Sequence, residues 1–255
     1  MFYFLNQSFL RVAFIALFYA VYIQSIGSDV GIFNGLFFSS LLPIKLNRLK
    51  KKEREEFVLS DNLKEILVGL ILGDLYIQKQ KASKNPRLAF LQGIIHKDYL
   101  YHLYDLFQSF CLNPPKVYNL PVDKRTGKIY SNVAFRTYSL PCFTDLYCLF
   151  YPAGKKQLPL NIAEFLTPLS LAYWICDDGG FDSKSRWVKL STQGFSMDEV
   201  NLLAKVLNDK FHLNCVVHKD RNYFVIGIPS NSLPALQKLL APHMPSMMRF
   251  KIGLD

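Results

Sequence analysis

Two stretches of this chain share one pattern of apolar positions and end in the same way. Leu67 to Leu75 reads LVGLILGDL and Leu171 to Phe181 reads LAYWICDDGGF, each an apolar run of helical length that closes on a carboxylate. In the first, Leu63, Ile66, Leu67, Leu70 and Ile71 recur at helical spacing, and Asn62 followed three residues later by Glu65 predicts a capping box at its start. In the second, Thr167 and Pro168 predict an N-cap and a first helical residue, so a helix is expected over Pro168 to about Asp177. Gly69 and Gly73 lie four apart on one face. Glycine inside a helix costs about 1 kcal/mol relative to alanine, which implies that another backbone packs there at close range, and the second helix is the natural partner. The pair brings Asp74 and Asp178 to one end, where the helix dipole is negative and a carboxylate is disfavoured unless a cation compensates it. Two such carboxylates form a hard-oxygen site that favours Mg2+. The competing reading of Asp177-Asp178-Gly179-Gly180 alone is a plain turn.

The pattern repeats beyond these helices. After the first come a strand expected over Arg87 to Gln92 and a helix over about Lys97 to Phe110; after the second come Arg186 to Gln193 and Met197 to Phe211. Each copy continues with two more strand-like runs, Lys116 to Leu120 with Ile129 to Tyr138, and Cys215 to Lys219 with Asn222 to Ile228. Each closes with a helix, around Pro141 to Phe150 and Leu233 to Leu240, followed by basic residues. The offset stays at about a hundred residues. Two α+β units, 61–157 and 158–255, fused in one chain imply a pseudo-twofold monomer.

Alternation from Tyr130 to Tyr138 puts Val133, Phe135 and Thr137 on a core face and Tyr130, Asn132, Ala134 and Arg136 on an outer one. One polar face over one packed face suits a ribbon laid on DNA, and equally an ordinary solvated strand. Arg87, Lys116, Tyr118, Lys184, Arg186, Lys189, Lys219, Arg221 and Tyr223 on or beside the other strands favour DNA, because basic residues interleaved with aromatics serve both phosphates and base edges. Lys124, Arg125 and Lys128 in the loop from Asp123 extend that surface. Composition agrees: 30 Lys and Arg against 20 acids give a net charge of +10, which fits a polyanionic partner. Cys111, Cys142, Cys148, Cys176 and Cys215 are odd in number and lack Cys-x-x-Cys pairing, so free thiols in a reducing compartment are expected.

These residues resemble the LAGLIDADG homing endonucleases. Leu67–Leu75 and Leu171–Gly179 both fit the nine-letter motif, with Asp74 and Asp178 at its metal-binding acid. The likeness is to the single-chain, two-motif mitochondrial subgroup that includes the omega-intron endonuclease, and it extends through GLILGDLYI, LTPLSLAYW, LSTQGFS, KFHLNC and a C-terminal Met-Met-Arg. Leu75 departs from the motif's final glycine, and Tyr173 stands where the motif has a small residue. The resemblance implies a pseudo-twofold tandem of LAGLIDADG α/β units, each with an antiparallel sheet that forms half of a DNA-binding saddle. It also implies a site-specific, Mg2+-dependent double-strand DNA endonuclease that is intron-encoded and acts on a long, non-palindromic site. By resemblance, Lys156 carries over to the family's active-site lysine, Lys251 is its counterpart in the second copy, and Gln92 and Gln193 fall near the metal site. A capping role for the two glutamines stands beside that reading. The alternative function on the same fold is an intron maturase, whose partner is intron RNA and which needs the basic saddle but not the acids.

Residues 1–44 do not belong to this pattern. Val12 to Ile23 is an unbroken apolar and aromatic run of twelve, too short for a membrane span by itself, and neither Arg-rich nor amphipathic as a transit peptide would be. The expectation is a mitochondrial, organelle-encoded reading frame with a membrane-associated or processed extension. Residues 45–60, with Lys45, Lys50, Lys51, Lys52 and Arg54 among three glutamates, are expected to form a basic linker.

Overall fold

A computed structural model describes residues 49–254; the apolar extension 1–44 lies outside them. The described residues begin with a short helix, α1 (Lys51–Glu55), without buried residues. Phe57 packs against Phe110 and Tyr138 with ring centroids 5.7 and 6.3 Å apart, and Leu59 is buried.

The first motif helix, α2 (Asp61–Leu72), starts at Ser60, whose hydroxyl accepts the Leu63 N–H at 3.3 Å. The cap is therefore two residues upstream of the expected Asn62, because capping at Ser60 lets Leu59 enter the core. The second, α6 (Pro168–Asp178), starts as expected, with Thr167 and Ser170 forming a reciprocal capping box. Between them come β1 (Tyr76–Gln78), β2 (Arg87–Gly93), α3 (Lys97–Phe107), β3 (Lys116–Asn119), β4 (Ser131–Arg136), α4 (Thr144–Phe150) and a one-turn helix α5 (Ile162–Phe165). After α6 follow β5 (Gly179–Asp182), β6 (Trp187–Leu190), α7 (Met197–Phe211), β7 (Val216–Asp220), β8 (Tyr223–Ile228), α8 (Leu233–Leu240) and a 3-10 turn over Ser246–Ile252.

The two halves repeat one topology. Each holds a four-stranded sheet, in the orders β1-β2-β4-β3 and β5-β6-β8-β7, with every pairing antiparallel. This is the expected tandem of α+β units, with one addition: β1 and β5, which directly follow the two aspartates, are strands. Gly179 and Gly180 belong to β5, paired with Leu190 and Lys189, and do not form the alternative turn. The inner face of the first sheet carries Leu88, Phe90, Val133 and Phe135 against Leu100, Leu103 and Phe107 of α3, with Phe90 and Phe135 stacked at 4.3 Å. Val188, Leu190, Ile226 and Ile228 do the same in the second half with Val200, Leu203 and Leu207 of α7. Each such fully buried side chain contributes about 1.5–3 kcal/mol. All five cysteines are free thiols. Among the described residues no helix is long and apolar enough to cross a membrane.

Candidate active site and nucleic-acid interface

The two motif helices touch backbone to backbone. A Cβ added at Gly69 would lie 2.0 Å from Ser170 O and 3.0 Å from Trp174 N, so only glycine permits this approach. One turn on, Gly73 faces the Asp177 side chain, whose Cβ would be 2.6 Å from a Cβ placed there. Tyr173, large where the motif is small, is buried away from the crossing, its hydroxyl joined to His102 Nε2 of α3 at 2.8 Å. The crossing brings together the ends that carry Asp74, Asp177 and Asp178. Helix α2 stops at Leu72 with Gly73 as C-cap, so Asp74 stands in the turn beyond it, whereas Asp178 is still the last residue of α6.

Both helix ends are capped by a lysine. Lys156 Nζ donates to Gly73 O at 3.0 Å and to Leu72 O at 3.5 Å; Lys251 Nζ, from the C-terminal turn, donates to Cys176 O at 2.5 Å and to Asp177 O at 2.8 Å. These ammonium groups offset the negative helix ends, the compensation that carboxylates at this position require. Burial lowers the pKa of both lysines, opposed for Lys156 by Asp178, Asp74 and Asp177 and for Lys251 by Cys176 and the same three aspartates. Gln92 Nε2 donates to Asp74 Oδ2 at 3.3 Å. Gln193 differs: it lies exposed in the loop after β6, and among the described residues no hydrogen bond joins it to the aspartates as one joins Gln92.

Burial, then repulsion from Asp74, pushes the Asp178 carboxyl up to about 7 against the pull of Lys156 and Lys251. The Trp174 indole N–H also favours the ionised form, although among the described residues no partner lies within hydrogen-bonding geometry of that buried Nε1. Asp177 is driven well above the ordinary carboxylate range by burial and then by Asp74, opposed by the Asp74 N–H and the Tyr99 hydroxyl that it accepts. Two hard carboxylates that cannot easily ionise together without a counter-charge suit a divalent cation. Asp74 and Asp178 are the residues that could hold it.

The strand registers sort the basic and aromatic residues by face. On the first sheet, Lys116 opposes Ala134, Tyr118 opposes Asn132 and Ala89 opposes Arg136, so Arg87, Lys116, Tyr118, Asn132 and Arg136 share the outer face. Gln78 Oε1 accepts from Nε and Nη2 of Arg87 at 2.9 and 2.6 Å and holds its guanidinium in place. Asp123 Oδ1 accepts the N–H groups of Arg125 and Thr126 at 2.8 and 2.9 Å, ordering the loop that keeps Lys124, Arg125 and Lys128 exposed. On the second sheet Lys189 opposes Gly227 and shares the outer face with Tyr223. Its ammonium is ion-paired with Asp220, and Trp187 lies across Gly227 beside it. Lys219 pairs with Phe224 and so falls on the opposite face from Tyr223. Lys184, Arg186 and Arg221 occupy the hairpin turns, the last two at positive φ.

The model of the LAGLIDADG DNA endonuclease family matches residues 64–236. The chain belongs to that family. It is 34% identical over 200 residues to a cytochrome b mRNA maturase, bI2, of Debaryomyces hansenii, covering 76% of this chain and 75% of the relative. It is 32% identical to a probable intron-encoded endonuclease 1 of Wickerhamomyces canadensis, covering 80% and 89%. The structure of the homing endonuclease I-WcaI bound to its DNA recognition sequence superposes with a TM-score of 0.76 at 30% identity, over 83% of this chain and 96% of that one.

Within the LAGLIDADG frame, Asp74 and Asp178 are equivalent positions of the two motifs, and Gly73 is the equivalent of Asp177. Asp177 and Tyr99 are the site residues that the pattern of apolar positions does not announce. The available signal was the doublet Asp177-Asp178 set against the single acid of Gly73-Asp74.

Proposed function

We propose that this chain is a site-specific double-strand DNA endonuclease, a monomeric homing enzyme encoded within an intron, that hydrolyses phosphodiesters with Mg2+ at a long, non-palindromic site. The observation that carries the reading is the meeting of Asp74 and Asp178 at the lysine-capped ends of the motif helices, each aspartate leading directly into the edge strand of its own sheet. Mg2+ held by these acids would supply Lewis acidity towards the phosphate and lower the pKa of bound water. Around it, Gln92 orients the Asp74 carboxylate, and Lys156 and Lys251 face the charge that builds on the phosphate during displacement. The outer face of the first sheet, with Arg87, Lys116, Asn132 and Arg136, grips phosphates and base edges. That of the second differs in composition, with Lys189 and Tyr223, and two unlike faces call for two unlike half-sites. The likeness to a cytochrome b mRNA maturase and to a probable intron-encoded endonuclease supports a mitochondrial intron as the source.

The maturase reading is favoured by one observation, the 34% identity to the Debaryomyces hansenii bI2 maturase, and it is compatible with a nuclease. Selection of cleaved duplexes from a randomised library in Mg2+, with Asp74→Asn and Asp178→Asn as partners, separates the two. Both substitutions keep side-chain volume and remove one cation-binding charge. Cleavage should be lost in each while DNA affinity in Ca2+ is retained or improved. An Asp178→Asn protein cutting both strands at the wild-type rate would falsify the catalytic assignment of Asp178, and a wild-type chain that cuts no duplex in the library would overturn the nuclease reading; an inactive variant that still promotes splicing of its intron would establish the maturase role.

A further inference from the structure

The two halves of the active end are not held in the same way, and the difference lies in Asp177. Its counterpart in the first motif is Gly73, which has no side chain. Asp177 reaches across the pair of helices: Oδ2 accepts the Asp74 backbone N–H at 3.1 Å, and Oδ1 accepts the Tyr99 hydroxyl of α3 at 3.1 Å. Gly73 makes room for it, since a Cβ there would come within 2.7 Å of that same Oδ2. Asp178 needs no such partner, because it is the last residue of α6 and the helix itself fixes its backbone. Asp74 lies beyond the end of α2, where the C-cap has departed from helical geometry with ψ −131°; the Gly73 and Leu75 N–H groups on either side donate to Gly69 O and Leu70 O, and the Asp74 N–H between them turns to the Asp177 carboxylate. A third carboxylate beside two others is costly, so its retention points to a task at the site.

The geometry points to Asp177 as the positioning residue for Asp74: with Tyr99 as its anchor it fixes the first metal-binding aspartate, so that the two strand cuts depend unequally on it. This rests on the endonuclease reading and specifies how its two halves are built. The substitution Asp177→Ala removes the acceptor. Asp177→Asn keeps one, because Oδ1 can accept the Asp74 N–H while Nδ2 donates to Tyr99, whose hydroxyl turns to accept.

The test uses the full chain, a duplex selected by wild-type cleavage and labelled on each strand, and single-turnover rates in Mg2+. Loss of a group that orients a metal ligand costs about 10- to 100-fold, so Asp177→Ala should slow one strand by that factor, leave the other within about threefold and accumulate nicked duplex. Asp177→Asn should restore most of the strand ratio. A purely structural role would lower the melting temperature and slow both strands alike, and that outcome, or an unchanged ratio, overturns the proposal. Amide hydrogen exchange at Asp74, measured without DNA, gives the second readout. Its protection should fall about tenfold or more in Asp177→Ala and return in Asp177→Asn; unaltered exchange overturns the positioning role even if wild-type protein cuts no duplex, a result that would count separately against the endonuclease reading.

Discussion

The closest approach between the motif helices makes Gly69→Ala the sharpest perturbation of the fold. The added Cβ would sit 2.0 Å from Ser170 O and 2.9 Å from Ser170 C, against an ordinary contact of 3.4–4 Å. Both atoms are backbone, held in the first turn of α6, so no side chain can swing aside and the helices must part by roughly an ångström. Overpacking of this kind costs about 1–3 kcal/mol, and an unyielding backbone puts it at the upper end. Alanine recovers about 1 kcal/mol through helix propensity, leaving a net loss of about 2 kcal/mol. At roughly 2–4 °C per kcal/mol for a domain of this size, the melting temperature should fall by about 4–8 °C, read by circular dichroism. Gly194→Ala is the control, since nothing lies within 4 Å of a Cβ there and its φ is not positive. The same parting separates Asp74 from Asp178, and a misplacement of about 1 Å can cost about a hundredfold in rate; cleavage well below either melting temperature should therefore fall further than stability suggests. A Gly69→Ala protein that melts at or above the wild type would refute the backbone contact.

Two further outcomes follow from the electrostatics. The Asp178 carboxyl sits at about 7 when folded and at 3.8 in an unconstrained chain, so between those values the folded state binds the extra proton. In EDTA its contribution to stability should be full below about pH 4, decline as pH rises towards about 7 and level off above, and urea denaturation of Asp178→Asn should lose part of that slope. Lys156→Met and Lys251→Met each remove a helix cap and a cation facing the acids, and single-turnover cleavage should drop in both by about 10²-fold. A tenfold disparity between them would contradict the matched placement of the two ammonium groups.

How much the residues reveal depends on whether the information is local. Helix Met197–Phe211 ends where its pattern does, because Ser196 and Glu199 form a capping box and His212 takes the left-handed C-cap. The glycines at 69 and 73 announced a close approach because their propensity cost has no local explanation. The short strands β1 and β5 were not legible: three and four residues show no alternation, and pairing with β2 and β6 alone makes them strands. Lys219 looked equivalent to its basic neighbours, yet its face is set by the register of β7 on β8, which places it with Phe224. Asp177 was hidden for another reason. In sequence it is half of a turn-like Asp-Asp-Gly-Gly, and its partners Asp74 and Tyr99 are 103 and 78 residues away.

The position of the acids poses the problem that the rest of the site answers. A helix C-terminus is the wrong place for a carboxylate, and here two helix ends present Asp74, Asp177 and Asp178 together. Lys156 and Lys251 meet part of the difficulty by donating to the last carbonyls of each helix, which cancels the dipole contribution without a direct carboxylate ion pair. Burial, and then repulsion from Asp74, keeps Asp177 well above the ordinary carboxylate range and, outweighing the pull of these ammonium groups, holds Asp178 at about 7. A divalent cation binding Asp74 and Asp178 would displace the proton on Asp178, so its affinity should rise with pH through about 7. The lysine caps thus offset the helix ends while leaving the three carboxylates short of positive charge, and a divalent cation held by Asp74 and Asp178 would supply it.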